Sequence, residues 1–196
     1  MTPFDWFEQA RYGLFMHWGL YSLLGHEDAE WILFKDNLDR AEYNRLADQF
    51  KGEHYDAAAF AALAKRAGMN YMVLTARHHD GFCLFDTRTT DFNSVKTAAR
   101  RDFVREHVEA CRKAGLKVGL YYSVMSWQQP AIYTGPGTDP EGWERMVQET
   151  HNQLRELMTD YGQIDLLWYD GAVVPGIQDN GMIARFWRSK ELNAMI

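Results

Sequence analysis

Three segments of the chain repeat one pattern of apolar and polar positions. Each begins as an amphipathic helical stretch, reaches a glycine suited to closing a helix in the left-handed conformation, and continues as a short apolar run of strand character. They are AAFAALAKRAG followed by MNYMVLTA, FVREHVEACRKAG followed by LKVGLYYS, and WERMVQETHNQLRELMTDYG followed by QIDLLWYDG. In the third, Trp143, Met146, Val147, Thr150, Leu154, Leu157, Met158 and Tyr161 recur at helical spacing, an unbroken apolar stripe that predicts one long helix. The closing glycines Gly68, Gly115 and Gly162 are 47 residues apart in both intervals, which implies one repeated αβ unit. An earlier apolar run, Tyr12 to Tyr21, predicts a first strand, and Met182 to Ile196 the start of a further helix. Alternating strands and helices predict a parallel sheet with helices packed on it.

An eightfold (β/α)8 TIM-type barrel takes ~250 residues, about 31 per unit, so a 47-residue unit carries a surplus. The helix-to-strand joints read as two or three residues, whereas the strand-to-helix joints include His78 to Ala98 and Ser126 to Gly142. The surplus therefore lies at the carboxyl ends of the strands, where barrels and open α/β enzymes alike build their sites. Four strands are half a barrel. Either the fold is a smaller open α/β sheet, or the chain stops before a barrel closes.

Side-chain alternation selects the residues that face this end. Ile164, Leu166, Trp168 and Asp170 share a face of the fourth strand, with the acid last, before Gly171. In the second strand Met72, Leu74, Ala76 and His78 are expected to share a face, with His79 beside them where the strand curls over. Asp80 then either orients an imidazole or caps the turn at Gly81. His17 shares parity with Phe15 and Gly19. In the third strand Gly119, Tyr121 and Ser123 form the small or polar set, and Val118, Leu120 and Tyr122 the set that meets helices. The pattern thus gathers His17, His78, Tyr121, Trp168 and Asp170 at one end of four strands, where a core would have aliphatics.

Composition narrows the chemistry. The 196 residues are 46% hydrophobic and 24% charged, as in an ordinary soluble globular protein, and the formal charge of -6 disfavours nucleic acid and anionic membranes as partners. No targeting segment is legible, so a cytoplasmic location is the default, with secreted or periplasmic alternatives open. Cys83 and Cys111 read as buried thiols. Seven tryptophans, several in strand-end loops (Trp18, Trp31, Trp127, Trp168), offer flat apolar rings suited to the C–H face of a sugar. His17, His78, His79, Asp80 and Asp170 could in principle surround Zn or Mn, but no HxH, HExxH or CxxC spacing occurs. His107 and Cys111 lie on an apolar helix face. Neither a phosphate loop nor a dinucleotide fingerprint is present, and no cofactor is expected.

The motifs WFEQARYGLFMHWGLYS, the AEW of Ala29 to Trp31, NYMVLTARHHDGFCLFDTRTTDFNSV, GLKVGLYYS and LLWYDG resemble the α-L-fucosidases of glycoside hydrolase family 29. The resemblance covers residues 4 to 172 and implies a (β/α)8-type barrel, of which about the first four βα units are present. It implies hydrolysis of terminal α-L-fucosides with retention of configuration, on a fucosylated glycan or simple fucoside, without a metal. It also implies that Asp170 is the nucleophile and that His17, Glu30, Trp31, His78, His79, Tyr121 and Trp168 bind the sugar. Alternation alone had already selected five of these eight. The family's acid/base, a Glu well after the nucleophile, is expected beyond Ile196: only Asp179 and Glu191 follow Asp170, and Glu191 falls on a predicted exterior helix. The expectation is therefore a single catalytic barrel domain, 1–196, truncated at its carboxyl end, whose unpaired edge strands favour self-association. Two other readings stand beside it: a fucose-binding remnant without acid/base, and a metal-dependent barrel hydrolase using the three histidines. Linkage and aglycone are not legible.

Overall fold

The computed structural model describes residues 5–171. In chain order the elements are α1 (Asp5–Ala10), β1 (Gly13–Met16), α2 (Ile32–Lys35), α3 (Arg40–Asn44), α4 (Ala57–Arg66), β2 (Tyr71–Arg77), α5 (Phe103–Ala114), β3 (Lys117–Ser123), α6 (Ala131–Thr134), α7 (Pro140–Thr159) and β4 (Leu166–Asp170). Local chemistry sets the helix starts. Asp39, Asp56, Asp102 and Asp139 precede α3, α4, α5 and α7, and each carboxylate accepts the backbone N–H three residues on. Such a cap contributes about 1 kcal/mol and places negative charge at the positive end of the helix dipole. After α4, α5 and α7 the chain turns through Gly68, Gly115 and Gly162, all left-handed with φ of 79°, 66° and 70°, as their even spacing suggested. The predicted helix at Met182 to Ile196 lies outside the described residues.

The four strands are parallel in the order β1-β2-β3-β4, the arrangement of half of a (β/α)8 barrel. Paired residues run in layers: Phe15, Val73, Gly119 and Leu166, then Thr75, Tyr121 and Trp168, then Ser123 and Asp170. Strands spaced ~4.8 Å apart would hold β1 and β4 some 14 Å from each other in a flat sheet. Yet the rings of Phe15 on β1 and Trp168 on β4 lie 5.3 Å apart, so the sheet curls as a barrel wall does. Its convex face is the core. Met72, Leu74 and Ala76 of β2 and Val118, Leu120 and Tyr122 of β3 pack there with Phe103, Val104 and Val108 of α5 and Trp143, Met146 and Leu154 of α7. Cys83 and Cys111 are free and buried, and buried His107 bonds the Gly119 carbonyl at 3.2 Å. No helix among the described residues is long and apolar enough to cross a membrane.

Three expectations need correction. The first strand is shorter than Tyr12 to Tyr21: it ends at Met16, and Leu20–Leu23 forms a 3-10 turn. The apolar run continues because Leu20 and Tyr21 are buried beneath the loops, while Thr75 Oγ1 fastens the departing chain by bonding the N–H and carbonyl of Trp18 at 3.1 and 2.7 Å. In β2 the expected face is reversed. Met72, Leu74 and Ala76 point at the helices, and Val73 and Thr75 line the concave side. An irregularity between Thr75 and Arg77 sets one extra β2 residue against β3, so Arg77 pairs with Tyr122 and His78 is switched to the concave side. The α4-to-β2 and α7-to-β4 joints are also longer than the two or three residues expected, at 67–70 and 160–165.

Candidate active site

At the carboxyl end of the strands, Asp170 closes β4. Its Oδ2 accepts the Tyr121 hydroxyl at 2.5 Å and its Oδ1 accepts the Gly171 N–H at 2.7 Å, so donors from two strand ends orient the carboxylate. His79 Nε2 approaches the same Oδ2 at 3.8 Å. The His78 ring lies flat against Tyr121, 5.2 Å between centroids and 5° between planes, and His17 meets His78 at 5.3 Å and Tyr121 at 4.8 Å. Glu30 stands on the 3-10 turn Ala29–Trp31. Trp31 and Trp127 flank His79 at 4.9 and 5.2 Å, and Trp168 is 46% exposed on the open concave face. The structure thus brings seven of the eight sequence-selected residues into one continuous set around Asp170, Tyr121 and the three histidines, with Trp168 joined through Phe15.

Burial governs the charge states. It pushes His78 down to about 2, helped by His79 and His17, and pushes His79 down to about 4 against the pull of Asp170. His17 is lowered by burial as well, opposed by Glu30 and Asp170. All three rings are therefore neutral near neutral pH, each able to give one hydrogen bond and receive another. Burial, then the bond to Asp170, raises Tyr121 far above the usual phenol range and keeps it a donor.

Asp80 does not reach the site. Its carboxylate accepts from the Phe82 N–H and the Tyr43 hydroxyl at 3.1 and 2.8 Å, and burial pushes it up to about 6. It caps the turn, the second of the two roles open for it. Gly81 in that turn has φ of 80°, a conformation that favours glycine. Ser123 belongs to the site without having been selected from the sequence, and Trp127, selected only as one of several strand-end tryptophans, stands beside His79. Ser123 carried a signal, its shared parity with Tyr121; Trp127 lies in a loop whose path no periodicity encodes.

Two sets of potential metal donors occur among the described residues, His17, Glu30 and His78, and His78, His79 and Asp170, with donor atoms within 4.8 Å of one another in each. They overlap at His78, and together they draw on five of the residues already placed at the strand ends. The chemistry of the arrangement is a carboxylate held between neutral hydrogen-bonding rings and flat aromatic walls.

The α-L-fucosidase family model matches residues 2–195. The plasma α-L-fucosidase of Rattus norvegicus is 31% identical over 97% of this chain and 43% of its own length, and that of Homo sapiens 30% identical over 94% and 41%. Among solved structures, a GH29 α-L-fucosidase of Bacteroides thetaiotaomicron, trapped as a covalent intermediate with 2-fluoro-fucosyl fluoride, superposes with a TM-score of 0.87 at 32% identity, covering 97% of this chain and 46% of that one. Isoenzyme 1 of Paenibacillus thiaminolyticus gives 0.86 at 35% identity, covering 99% and 47%. The chain spans less than half the length of these relatives.

Proposed function

We infer that this chain, which belongs to the α-L-fucosidase family, carries the nucleophile and most of the sugar-binding groups of a retaining α-L-fucosidase acting on terminal α-L-fucosyl residues. The observation that carries this reading is Asp170: a carboxylate at a strand's carboxyl end, oriented through both oxygens and ringed by His17, Glu30 and His78, whose side chains make no hydrogen bond among the described residues. Leaving a buried polar atom such as His78 Nδ1 without a partner is costly, so this convergence suits a ligand rich in hydroxyls.

In the proposed reaction an Asp170 oxygen attacks the anomeric carbon, forming the C1–O ester as the bond from C1 to the leaving oxygen breaks. A second carboxyl, about 5 Å away, donates a proton to that oxygen and later removes one from the water that cleaves the ester. This acid/base is assigned to no described residue. The neutral histidines, Glu30 and the Trp31 N–H bind sugar hydroxyls, and Trp168 covers the apolar sugar face.

Rapid mixing of the full chain with 4-nitrophenyl α-L-fucoside tests this, because nitrophenolate scarcely needs an acid to leave. The expected result is a burst of nitrophenolate that Asp170→Asn abolishes. A burst that survives the substitution removes Asp170 from the role. Fucose binding without any burst favours the alternative, a fucose-binding remnant.

A further inference from the structure

The hydrogen bonds behind His79 determine which of its nitrogens carries the proton. Ser123 Oγ lies 2.7 Å from the Met125 carbonyl oxygen and 2.6 Å from His79 Nδ1. Both separations are so short that each requires a hydrogen between the atoms. The carbonyl has none and the hydroxyl has one, so the hydroxyl hydrogen goes to Met125 and the hydrogen toward His79 must be the ring's own, on Nδ1. The Met125 N–H, 3.2 Å away, also points at Oγ and leaves the hydroxyl in the same orientation. Ser123 is itself fixed from behind: buried Arg77 donates through Nη2 to its carbonyl at 3.0 Å and through Nη1 to Gln153 at 2.8 Å. The concave site is thus tied to α7 through a side chain that the β2 irregularity turns outward.

The consequence lies on the opposite edge of the ring. With Nδ1 protonated, neutral His79 presents a bare Nε2 lone pair 3.8 Å from Asp170 Oδ2. The reverse tautomer would offer Nε2–H to that oxygen, which already accepts from Tyr121, and a carboxylate receiving two strong donors on one oxygen is a weaker nucleophile. Two facing acceptors instead leave a gap that only a donor can fill, such as a hydroxyl of the bound sugar. We propose that Ser123 is a positioning residue that, with the Met125 carbonyl, holds His79 in the Nδ1–H tautomer, so that Nε2 accepts a ligand hydroxyl and does not cap Asp170. Its effect on turnover rests on the fucosidase reading above, whereas the tautomer does not.

The test is two-part. In the full chain labelled with 15N-histidine, long-range 1H–15N spectra, with His79 assigned by its loss in His79→Gln, are expected to report Nδ1–H and bare Nε2. Ser123→Ala is expected to move the ring toward Nε2–H and to lower the rate constant of the nitrophenolate burst from 4-nitrophenyl α-L-fucoside by about tenfold or more. Ser123→Thr, which keeps the hydroxyl, should restore both. An Nε2–H tautomer in the unaltered chain overturns the proposal, as does a Ser123→Ala protein with unchanged tautomer or unchanged burst rate. If Ser123→Ala does not fold, the unaltered chain and Ser123→Thr still decide the tautomer. If no fucoside is cleaved by any variant, it is the fucosidase reading that fails, and the spectra still decide whether Ser123 sets the ring.

Discussion

Two polar clusters lie on opposite sides of the same sheet and are built in opposite ways. On the convex side Gln153 has both ends of its amide occupied: its carbonyl accepts from Arg77 at 2.8 Å and Tyr122 at 2.7 Å, and its NH2 donates to Thr89 at 2.7 Å and Glu149 at 3.2 Å. Arg77 also lies 4.6 Å over the Tyr122 ring. On the concave side His17, Glu30 and His78 converge without such bonds, and His78 Nδ1 is buried with no partner. The first cluster spends nearly all its capacity on itself, with Arg77 Nε left without a partner; the second leaves its capacity open at the end of the strands. That difference separates polar residues that hold the sheet from those available to a ligand, although each cluster contains buried side chains, Arg77 in the first and His78 in the second.

The largest test of the contrast is Asp170→Asn. It should reduce fucoside turnover by more than about 10³ while the melting temperature changes little, as rate and calorimetric measurements would report. Next, Gln153→Ala and His78→Ala should part company. The former removes the acceptor of both Arg77 Nη1 and the Tyr122 hydroxyl and should cost about 2–4 kcal/mol in denaturant unfolding with fucose affinity nearly intact. The latter should weaken fucose binding in calorimetry by about tenfold or more and cost less stability. Equal effects of the two on both quantities would erase the distinction between the clusters.

Acid sensitivity gives a smaller effect. Folding holds His78 neutral and pushes it down to about 2, below its ordinary 6.5. The folded state therefore binds fewer protons than the unfolded state under acid conditions, so this contribution is complete above pH 6.5 and is lost as pH falls. The slope is up to about 1.4 kcal/mol per pH unit for one proton. Unfolding curves between pH 7 and 4 should be flatter in His78→Gln. Asp80, pushed up to about 6, acts in the opposite sense between pH 4 and 6, where its contribution declines as pH rises; it is unaltered in that variant and cancels in the comparison. Finally, dialysis against chelator should leave fucoside turnover unchanged, and a loss restored by zinc or manganese would favour the metal-dependent reading.

Much of this was legible in the chain. Even glycine spacing and helical stripes gave the repeated αβ unit because each closing turn needs a left-handed residue and each helix one apolar face. In β3 the alternation of Gly119, Tyr121 and Ser123 with Val118, Leu120 and Tyr122 separated the two sides correctly. It failed in β2, where one extra residue before Arg77 reverses the side on which His78 emerges. The more uniform apolarity of Met72, Leu74 and Ala76 was the signal that these residues meet the helices. It failed again at Leu20 and Tyr21, since burial under a loop leaves the same apolar signature as burial in a sheet. Trp127 and the Asp80–Tyr43 bond depend on loop paths and on contacts distant in sequence, which no local period records.

The central claim, that Asp170 forms a glycosyl ester, is tested most directly by intact mass spectrometry of the full chain after incubation with 2-fluoro-fucosyl fluoride, whose fluoride leaves without help from an acid. The account predicts one added fluorofucosyl group, mapped by peptide digestion to Asp170 and absent in Asp170→Asn. A label on any other residue, or an unmodified chain that nonetheless binds fucose, would contradict it.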